Sequence, residues 1–220
     1  GLMQELVPNQ GDAWKFMLEE VDRIFENLSY RKIKIDKLPE VELFSRLRLN
    51  EIPHEIIDWA GLKIFLRIRT MATRTAEMHI ALGSDIHETA FTPITYNSDY
   101  SVWLKNRLTY QFQNRLNILE NNLHKLDGLA LELANQFLDQ KKNIRKIFLD
   151  FDWTKMKSER IRIHGDYHLG QVLVNGEDFF ILDFEGEPES TISDRKVKQP
   201  PLKDVAGIFR SFHYAIYANI

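Results

Sequence analysis

Between Arg160 and Pro188 the chain reads RIRIHGDYHLGQVLVNGEDFFILDFEGEP, and any fold this sequence adopts has to accommodate what that stretch concentrates. His164, Asp166, His168 and Gln171 form a dense polar cluster, and Asp183, Glu185 and Glu187 an acidic one, in a chain that is otherwise mostly amphipathic helix. Between the clusters, Gln171 to Val174 and Phe179 to Leu182 are short runs of β-formers. Asn175, Gly176, Glu177 and Asp178 separate them, which is a hairpin signature. Upstream, Ile161 and Ile163 alternate with arginines as in a half-buried strand. A loop over Gly176 to Asp178 sets Gln171 opposite Asp183, with both side chains on one face of the sheet. A two-residue loop shifts the register and separates them. The longer loop is the expectation.

Asp166 precedes Gln171 by five residues on an irregular loop, so three polar groups can converge without a helix presenting them. That arrangement suits phosphoryl transfer. One carboxylate orients an attacking hydroxyl and takes its proton, while an amide oxygen and a second carboxylate hold magnesium on the nucleotide phosphates. Magnesium is a hard cation that prefers such oxygen donors. Kinase-like enzymes place a catalytic Asp, an Asn five residues on, a hairpin, and then a metal-binding Asp followed by Phe. This chain keeps that order, with Gln171 in the Asn place and Asp183-Phe184-Glu185 in the place of Asp-Phe-Gly.

The segments HGDYHLGQVL, ILDFEGEP and PLKDVAGIFRSF, together with the early LVPNQGDAW and the internal RTAEMHIAL, resemble those of bacterial maltokinases. These belong to the aminoglycoside-phosphotransferase and choline-kinase branch of kinase-like folds. The resemblance implies ATP-dependent phosphorylation of maltose at its anomeric hydroxyl, giving maltose 1-phosphate for glucan synthesis. It also implies a fused or associated trehalose synthase. Carried over residue by residue, it makes Asp166 the catalytic base and Gln171 and Asp183 the Mg2+ ligands, with ATP as co-substrate and Glu185 close to the metal. Arg195 matches an arginine of the family pattern, and Asp204 the aspartate that holds the catalytic loop's backbone. Gln in place of Asn departs from the general kinase pattern but keeps an amide oxygen and matches the maltokinase form.

Other readings stand beside this one. Asp166 and His164 could simply cap a loop, as Asp commonly does in turns. His168 reads as a positioning or packing residue rather than a catalyst. A zinc hydrolase built from His164, Asp166 and His168 lacks a second spaced pair, because the other histidines are scattered singly. A non-catalytic kinase-like binding module, or a kinase for another hydroxylated substrate such as an aminoglycoside, would carry much of the same pattern.

Composition narrows the field. The chain has 220 residues, 44% hydrophobic and 28% charged, values of a globular protein with neither disorder nor a membrane span indicated. A net charge of -3 gives no reason to expect nucleic acid, whose binding needs a basic surface. The absence of cysteine excludes disulfides and thiol catalysis and is compatible with a cytoplasmic location. Neither a signal peptide's apolar core nor a transit sequence is present at the start.

Helical periodicity supplies the frame. Asp12 reads as an N-cap for a helix with Trp14, Met17, Leu18, Val21, Ile24, Phe25 and Leu28 on its core face. Ser29 to Pro39 is a basic connection, and Val41 to Leu49 a short helix. Pro53 opens another that runs through Trp59. A long helix over Leu62 to Leu82 stops at Gly83, with Ile64, Phe65, Ile68, Met71, Ala72, Ala76, His79 and Ile80 in one stripe. On it Arg74 and Glu77 can pair. Ser84 to Asn97 reads as a loop whose Phe91, with Tyr96 and Tyr100, either lines a carbohydrate site or anchors the loop. Helices follow from Tyr100 to His124 and from Leu126 to Leu138, then a charged exit from Asp139 to Arg145. After the polar stretch Glu189 to Gln199, a last helix carries Val205, Ile208, Phe209, Phe212 and Ile216 on one side.

The expected fold is therefore α+β and mainly α-helical: a kinase-like large lobe whose short β-hairpin carries the catalytic and metal-binding loop. No glycine-rich loop with a strand lysine, of the kind that holds ATP phosphates, precedes Arg160. Residues 1–220 are thus expected to be a single C-terminal lobe, truncated at both ends, with the small nucleotide-binding lobe absent and the isolated piece inactive.

Overall fold

Asp12 accepts a hydrogen bond from the Lys15 amide at 2.8 Å and so starts α1 (Ala13–Tyr30) where its cap pattern predicts. In the computed structural model, which describes residues 6–32 and 47–218, this helix belongs to the first of two compact units. That unit joins Gly1–Pro93 to Ile161–Ile220, and the second is Ile94–Arg160. Most of the expected helix at Val41 to Leu49, and most of the connection before it, lie outside the described residues; Leu49 opens a single 3-10 turn, Leu49–Glu51.

In the first unit, α2 (His54–Ala60) ends at Gly61, whose φ of 83° lets its amide turn back to the Ile57 carbonyl at 2.7 Å. Next comes α3 (Leu62–Leu82), with the bounds that the periodicity gives. Gly83 ends it for a packing reason: a Cβ there would stand 2.8 Å from the Ile161 side chain. The expected stripe needs correction. Ile64 and Met71 are buried, but Ile80 is 68% exposed, and Arg67 and Thr75 occupy buried positions instead. The face that α3 turns inward meets loop and hairpin backbone rather than pure hydrocarbon. Polar side chains with partners are therefore stable there.

The second unit opens with β1 (Ile94–Thr95) and α4 (Ser98–Asn122), capped by the Asn97 side chain on the Tyr100 amide at 3.0 Å. α5 (Gly128–Asp139) and α6 (Lys141–Asp150) follow, and β2 (Glu159–Arg160) pairs antiparallel with β1. Phe112 of α4 packs edge-on against Phe137 of α5 and Phe148 of α6, with ring centres 6.4 and 5.5 Å away. The charged exit expected after Asp139 is thus part of a helix. Its lysines and arginine hide a sparse apolar pattern that only the facing aromatic rings complete.

Returning to the first unit, Ile161 and Ile163 are both buried, as alternation suggests, but Ile161 makes only an isolated bridge to Gln199. β3 (Val172–Asn175) and β4 (Asp178–Ile181) form the hairpin. Asn175 pairs with Asp178, so the loop is the two residues Gly176 and Glu177, not three. Gly176 at φ 58° takes the first central position, where a II′ turn needs glycine. Val172 and Val174 face Phe179 and Ile181 inward, and Gln10 to Asp12 run beside β3 as a further edge. Val172 and Leu169 are fully buried, and burying each such side chain contributes roughly 1.5–3 kcal/mol. A one-turn helix α7 (Ile192–Arg195) and α8 (Leu202–Tyr217) complete the unit. The expected face of α8 lines an open apolar groove of about 680 Å³ with residues of α1 and α3.

Candidate active site

The site is built on the loop between Ile163 and β3, and its backbone is held by α8. Asp204, in the first turn of that helix and 2% exposed, accepts the His164 amide on Oδ2 and the Gly165 amide on Oδ1, each at 2.9 Å. This is the anchoring geometry the resemblance implies for Asp204. Gly207 lets α8 approach so closely that a Cβ there would meet the Tyr167 carbonyl oxygen at 2.7 Å. Gly165, at φ 88°, occupies the left-handed region, and its missing Cβ leaves space for Gly186. Glycine is required at both places by contact with backbone.

His164 is fully buried and ties the two polar clusters together. Its Nε2 lies 2.7 Å from the Leu182 carbonyl, and its Nδ1 lies 3.3 Å from the Asp166 amide. A carbonyl can only accept and an amide N–H can only donate, so the ring is held as the Nε2–H tautomer. The Leu182 amide in turn donates to the Gln171 carbonyl at 2.9 Å. Gln171 Nε2 donates to Asp183 Oδ2 at 3.0 Å. One continuous set of hydrogen bonds therefore runs from Asp166 through His164, Leu182 and Gln171 to Asp183.

The meeting of Gln171 and Asp183 survives a corrected register. With the two-residue loop, Gln171 faces Leu182 rather than Asp183, and regular strands would send the two side chains apart. The chain leaves the strand after Ile181, however, and Asp183 adopts φ 61°, a left-handed conformation that costs energy for a residue with a Cβ. That local turn swings the carboxylate back to the amide of Gln171. Both side chains are close to solvent, and their oxygens are a donor set that fits a hard divalent cation.

Asp166, whose side chain is one-third exposed, lines a cavity of about 690 Å³ with Trp14, His168, Glu187, Lys203 and Arg210. His168 Nδ1 caps the following turn by accepting the Gly170 amide at 3.1 Å, and its Nε2 stands 3.9 Å from Asp166 Oδ2. With both His164 nitrogens taken up, the histidines do not converge as zinc ligands. No group of three His, Asp or Glu side chains suited to a metal occurs among the described residues.

Sequence reasoning missed several contributors. Trp14 packs against the core as its spacing implies, but it also lines the cavity beside Asp166, and Lys203, Arg210 and Tyr214 of α8 do so too. Helical spacing alone carries no signal for this, because the cavity wall is made by elements far apart in the chain. Arg74 pairs with Glu77 as expected, but it also makes a bidentate contact to Asp178 at 2.7 and 2.8 Å, which fixes α3 to the hairpin. This guanidinium holds the Asp178 carboxyl below its ordinary value. Arg195 donates to the Ser190 and Pro188 carbonyls at 3.0 and 2.8 Å, stapling its own loop. Glu185 lines a different cavity with Arg162, Phe184 and Lys196. Tyr96 and Tyr100 are buried against each other, their ring centres 5.2 Å apart, so they pack rather than present a sugar platform. Phe91 instead lies under the Arg162 guanidinium.

This fold, with its hairpin and aspartate-anchored loop, is that of a kinase-like α+β lobe. Solved structures of glucosamine kinase share it. One, in complex with glucosamine, ADP and inorganic phosphate, superposes with a TM-score of 0.60 at 18% identity, covering 95% of this chain and 41% of that one. Two further crystal forms give TM-scores of 0.60 and 0.61 at 19% and 18% identity, covering 96% of this chain in each case. In sequence, a glucosamine kinase of Streptacidiphilus jiangxiensis is 35% identical over 54 residues, or 24% of this chain and 12% of that protein. The chain thus spans about two-fifths of the kinases whose fold it shares. No family model matches it. Among the described residues, no helix is long and apolar enough to cross a membrane.

Proposed function

We propose that this chain is the large lobe of an ATP-dependent sugar kinase, with Asp166 as the catalytic base. The observation that carries this reading is the hydrogen-bonded path from Asp166 through His164 to Gln171 and Asp183. It ties the backbone that carries Asp166, beside the cavity, to the Gln171–Asp183 pair. In the proposed step, Asp166 accepts the proton of the acceptor hydroxyl as its oxygen forms a bond to the γ-phosphorus. The bond from that phosphorus to the bridging oxygen breaks, and ADP leaves with the electron pair. Gln171, through its amide oxygen, and Asp183 would hold Mg2+, which when bound neutralises charge on the phosphates. Gly165 and Asp204 keep the loop in place for Asp166.

The cavity around Asp166 is the proposed acceptor site, with the rings of Trp14 and Tyr214 offering faces to sugar C–H groups and Glu187 and Arg210 offering polar contacts. Glucosamine is the acceptor that the structural likeness supports for a first test, and maltose the one that the sequence resemblance supports. We further propose a cytoplasmic protein in which residues 1–220 form one large lobe, the nucleotide lobe and part of the acceptor site lying elsewhere in a longer chain. A trehalose synthase partner rests on the sequence resemblance alone.

The test is phosphate transfer from ATP, with magnesium, to glucosamine and to maltose by the full-length gene product. Asp166→Asn is expected to lower the rate by about 10²–10⁴-fold without loss of folding. An unchanged rate would refute the base assignment and leave a non-catalytic kinase-like module as the better description.

A further inference from the structure

The cavity that contains Glu185 takes no part in the proposed transfer and shares no residue with the one beside Asp166. It measures about 700 Å³, and Arg162, Arg195, Lys196 and Lys198 line it against the single carboxylate of Glu185. Positive charge is thus concentrated on a chain whose net charge is -3. Elsewhere cations find carboxylates, as Arg23 does with Glu20, Arg74 with Asp178 and Lys141 with Glu120. Among the described residues, none of the four cavity cations has such a partner. Arg195 and Lys198 are held by backbone instead: Arg195 donates to the Ser190 and Pro188 carbonyls, and Lys198 to those of Thr89 and Thr92. A carbonyl takes up an N–H group but cancels no charge. Arg162 only stacks on Phe91, its guanidinium carbon 5.3 Å from the ring centre, and Lys196 is exposed. With five N–H donors on a guanidinium and three on an ammonium, these two keep their donors for a ligand. Charges of one sign around a concave site add their fields and draw in an anion.

The lining also indicates which anion. A phosphate monoester brings nearly two negative charges at neutral pH and three acceptor oxygens, which suits several uncompensated cations better than one carboxylate would. Glu185 shapes the rest of the site, because it opposes a second phosphate yet accepts hydrogen bonds from hydroxyl groups. Phe184 is 38% exposed and Ile192 71% exposed, so both offer apolar surface to C–H groups. We propose that this cavity binds a free sugar phosphate, its phosphate on Arg162 and Lys196 in the field of Arg195 and Lys198, and its hydroxyls toward Glu185. Arg195 and Lys198 supply fixed charge, and the two unattached side chains close on the ligand. Binding there needs neither ATP nor turnover, so the inference does not depend on the sugar-kinase reading.

The experiment is a calorimetric titration of the full-length gene product, without nucleotide, with glucose 6-phosphate and with inorganic phosphate as probes. Wild type is compared with Arg162→Gln, Lys196→Gln and Arg210→Gln. Arg195 and Lys198 are left intact because they hold loop carbonyls, whereas Arg162 and Lys196 are exposed and their replacement should leave the thermal midpoint unchanged. Glucose 6-phosphate is expected to bind at least about tenfold more tightly than inorganic phosphate, through the hydrogen bonds of its hydroxyls. Arg162→Gln and Lys196→Gln should each weaken that binding by about tenfold or more, the loss of a charge-assisted hydrogen bond. Arg210→Gln, which removes a cation from the Asp166 cavity, should change it by less than about threefold. Three outcomes would overturn the proposal. The first is no binding of glucose 6-phosphate in the millimolar range, and the second is equal affinity for inorganic phosphate, which would mean an ion held by charge alone. The third is a loss in Arg210→Gln as large as in the other two variants, which would put the ligand beside Asp166.

Discussion

In the unit that carries the hairpin, buried polar side chains hold backbone in place: Asp204 takes two loop amides, His164 joins Asp166 to Leu182, and Ser211 accepts the Leu169 amide at 3.0 Å. In the unit spanning Ile94–Arg160, the buried hydroxyls of Tyr96 and Tyr100 have no hydrogen-bond partner among the described residues. There the rings pack instead, Tyr100 stacking on Trp103 at 5.2 Å beneath the Arg160 guanidinium at 4.3 Å. The contrast is one of purpose. Where a loop must present a carboxylate in a fixed direction, directional bonds are needed. Where helices only have to associate, non-directional aromatic area suffices, and a stray hydroxyl is tolerated. Arg67 is the exception in the first unit, since its guanidinium reaches the Gly176 carbonyl while its Nε is left without a partner.

Breaking the contrast should be most expensive at Gly207. A methyl group there meets the Tyr167 carbonyl oxygen, which is backbone already fixed by the loop and cannot give way cheaply. Gly207→Ala is expected to destabilise the first unit by about 1–3 kcal/mol in urea unfolding of the full chain, with faster amide exchange in residues 161–170. Exchange and stability like those of wild type would mean that α8 and the loop are not locked together.

A smaller effect is expected at Arg74, whose forked contact to Asp178 lies near the surface. Arg74→Ala should lower stability only slightly at neutral pH, because water screens a pair at the surface. The sign of its pH dependence is fixed, because Asp178 has a lowered folded-state value caused first by the hydrogen bond from Arg74. Its contribution is complete above the ordinary value of 3.8 and is lost as the solution is acidified below it. The difference between wild type and variant should therefore shrink in acid. A difference that stays constant down to pH 2 would show that the pair carries no linkage.

The smallest effect on stability is expected at Tyr100. Burial pushes its hydroxyl up to about 12 from 10.0, so stability tied to the neutral phenol is present below pH 10 and lost as pH rises toward 12. Tyr100→Phe removes both the unpartnered hydroxyl and the ionisation. Stability at pH 7 should change by less than about 1 kcal/mol, with any change favourable, and the second unit should resist alkaline unfolding better. A clear loss at neutral pH would reveal a partner for the hydroxyl and blur the distinction between the two units.

Much of this molecule is legible from local pattern. Asp12, Gly61 and Gly83 mark helix ends, and the spacing from Ile64 to Met71 makes a helix whatever surrounds it, because caps and amphipathic stripes depend on near neighbours. The polar cluster from His164 to Gln171 and the acidic group after Ile181 are likewise visible as chemistry waiting for a geometry. The hairpin register is not legible in this way: the sequence from Asn175 to Asp178 satisfies either loop length, and in the structure Arg74 and Arg67 of α3 fasten the hairpin with the two-residue loop.

What the sequence determined by itself is therefore the set of elements and the residue types brought to the hairpin. What only the tertiary structure decided is their convergence. The left-handed turn at Asp183, the cavity wall from Trp14 and α8, and the reach of His79 to Asp204 join residues up to 200 positions apart in number, as Trp14 and Tyr214 are in one cavity. Contacts between distant parts of a chain arise from packing and burial, and the spacing of neighbours along the chain does not encode them.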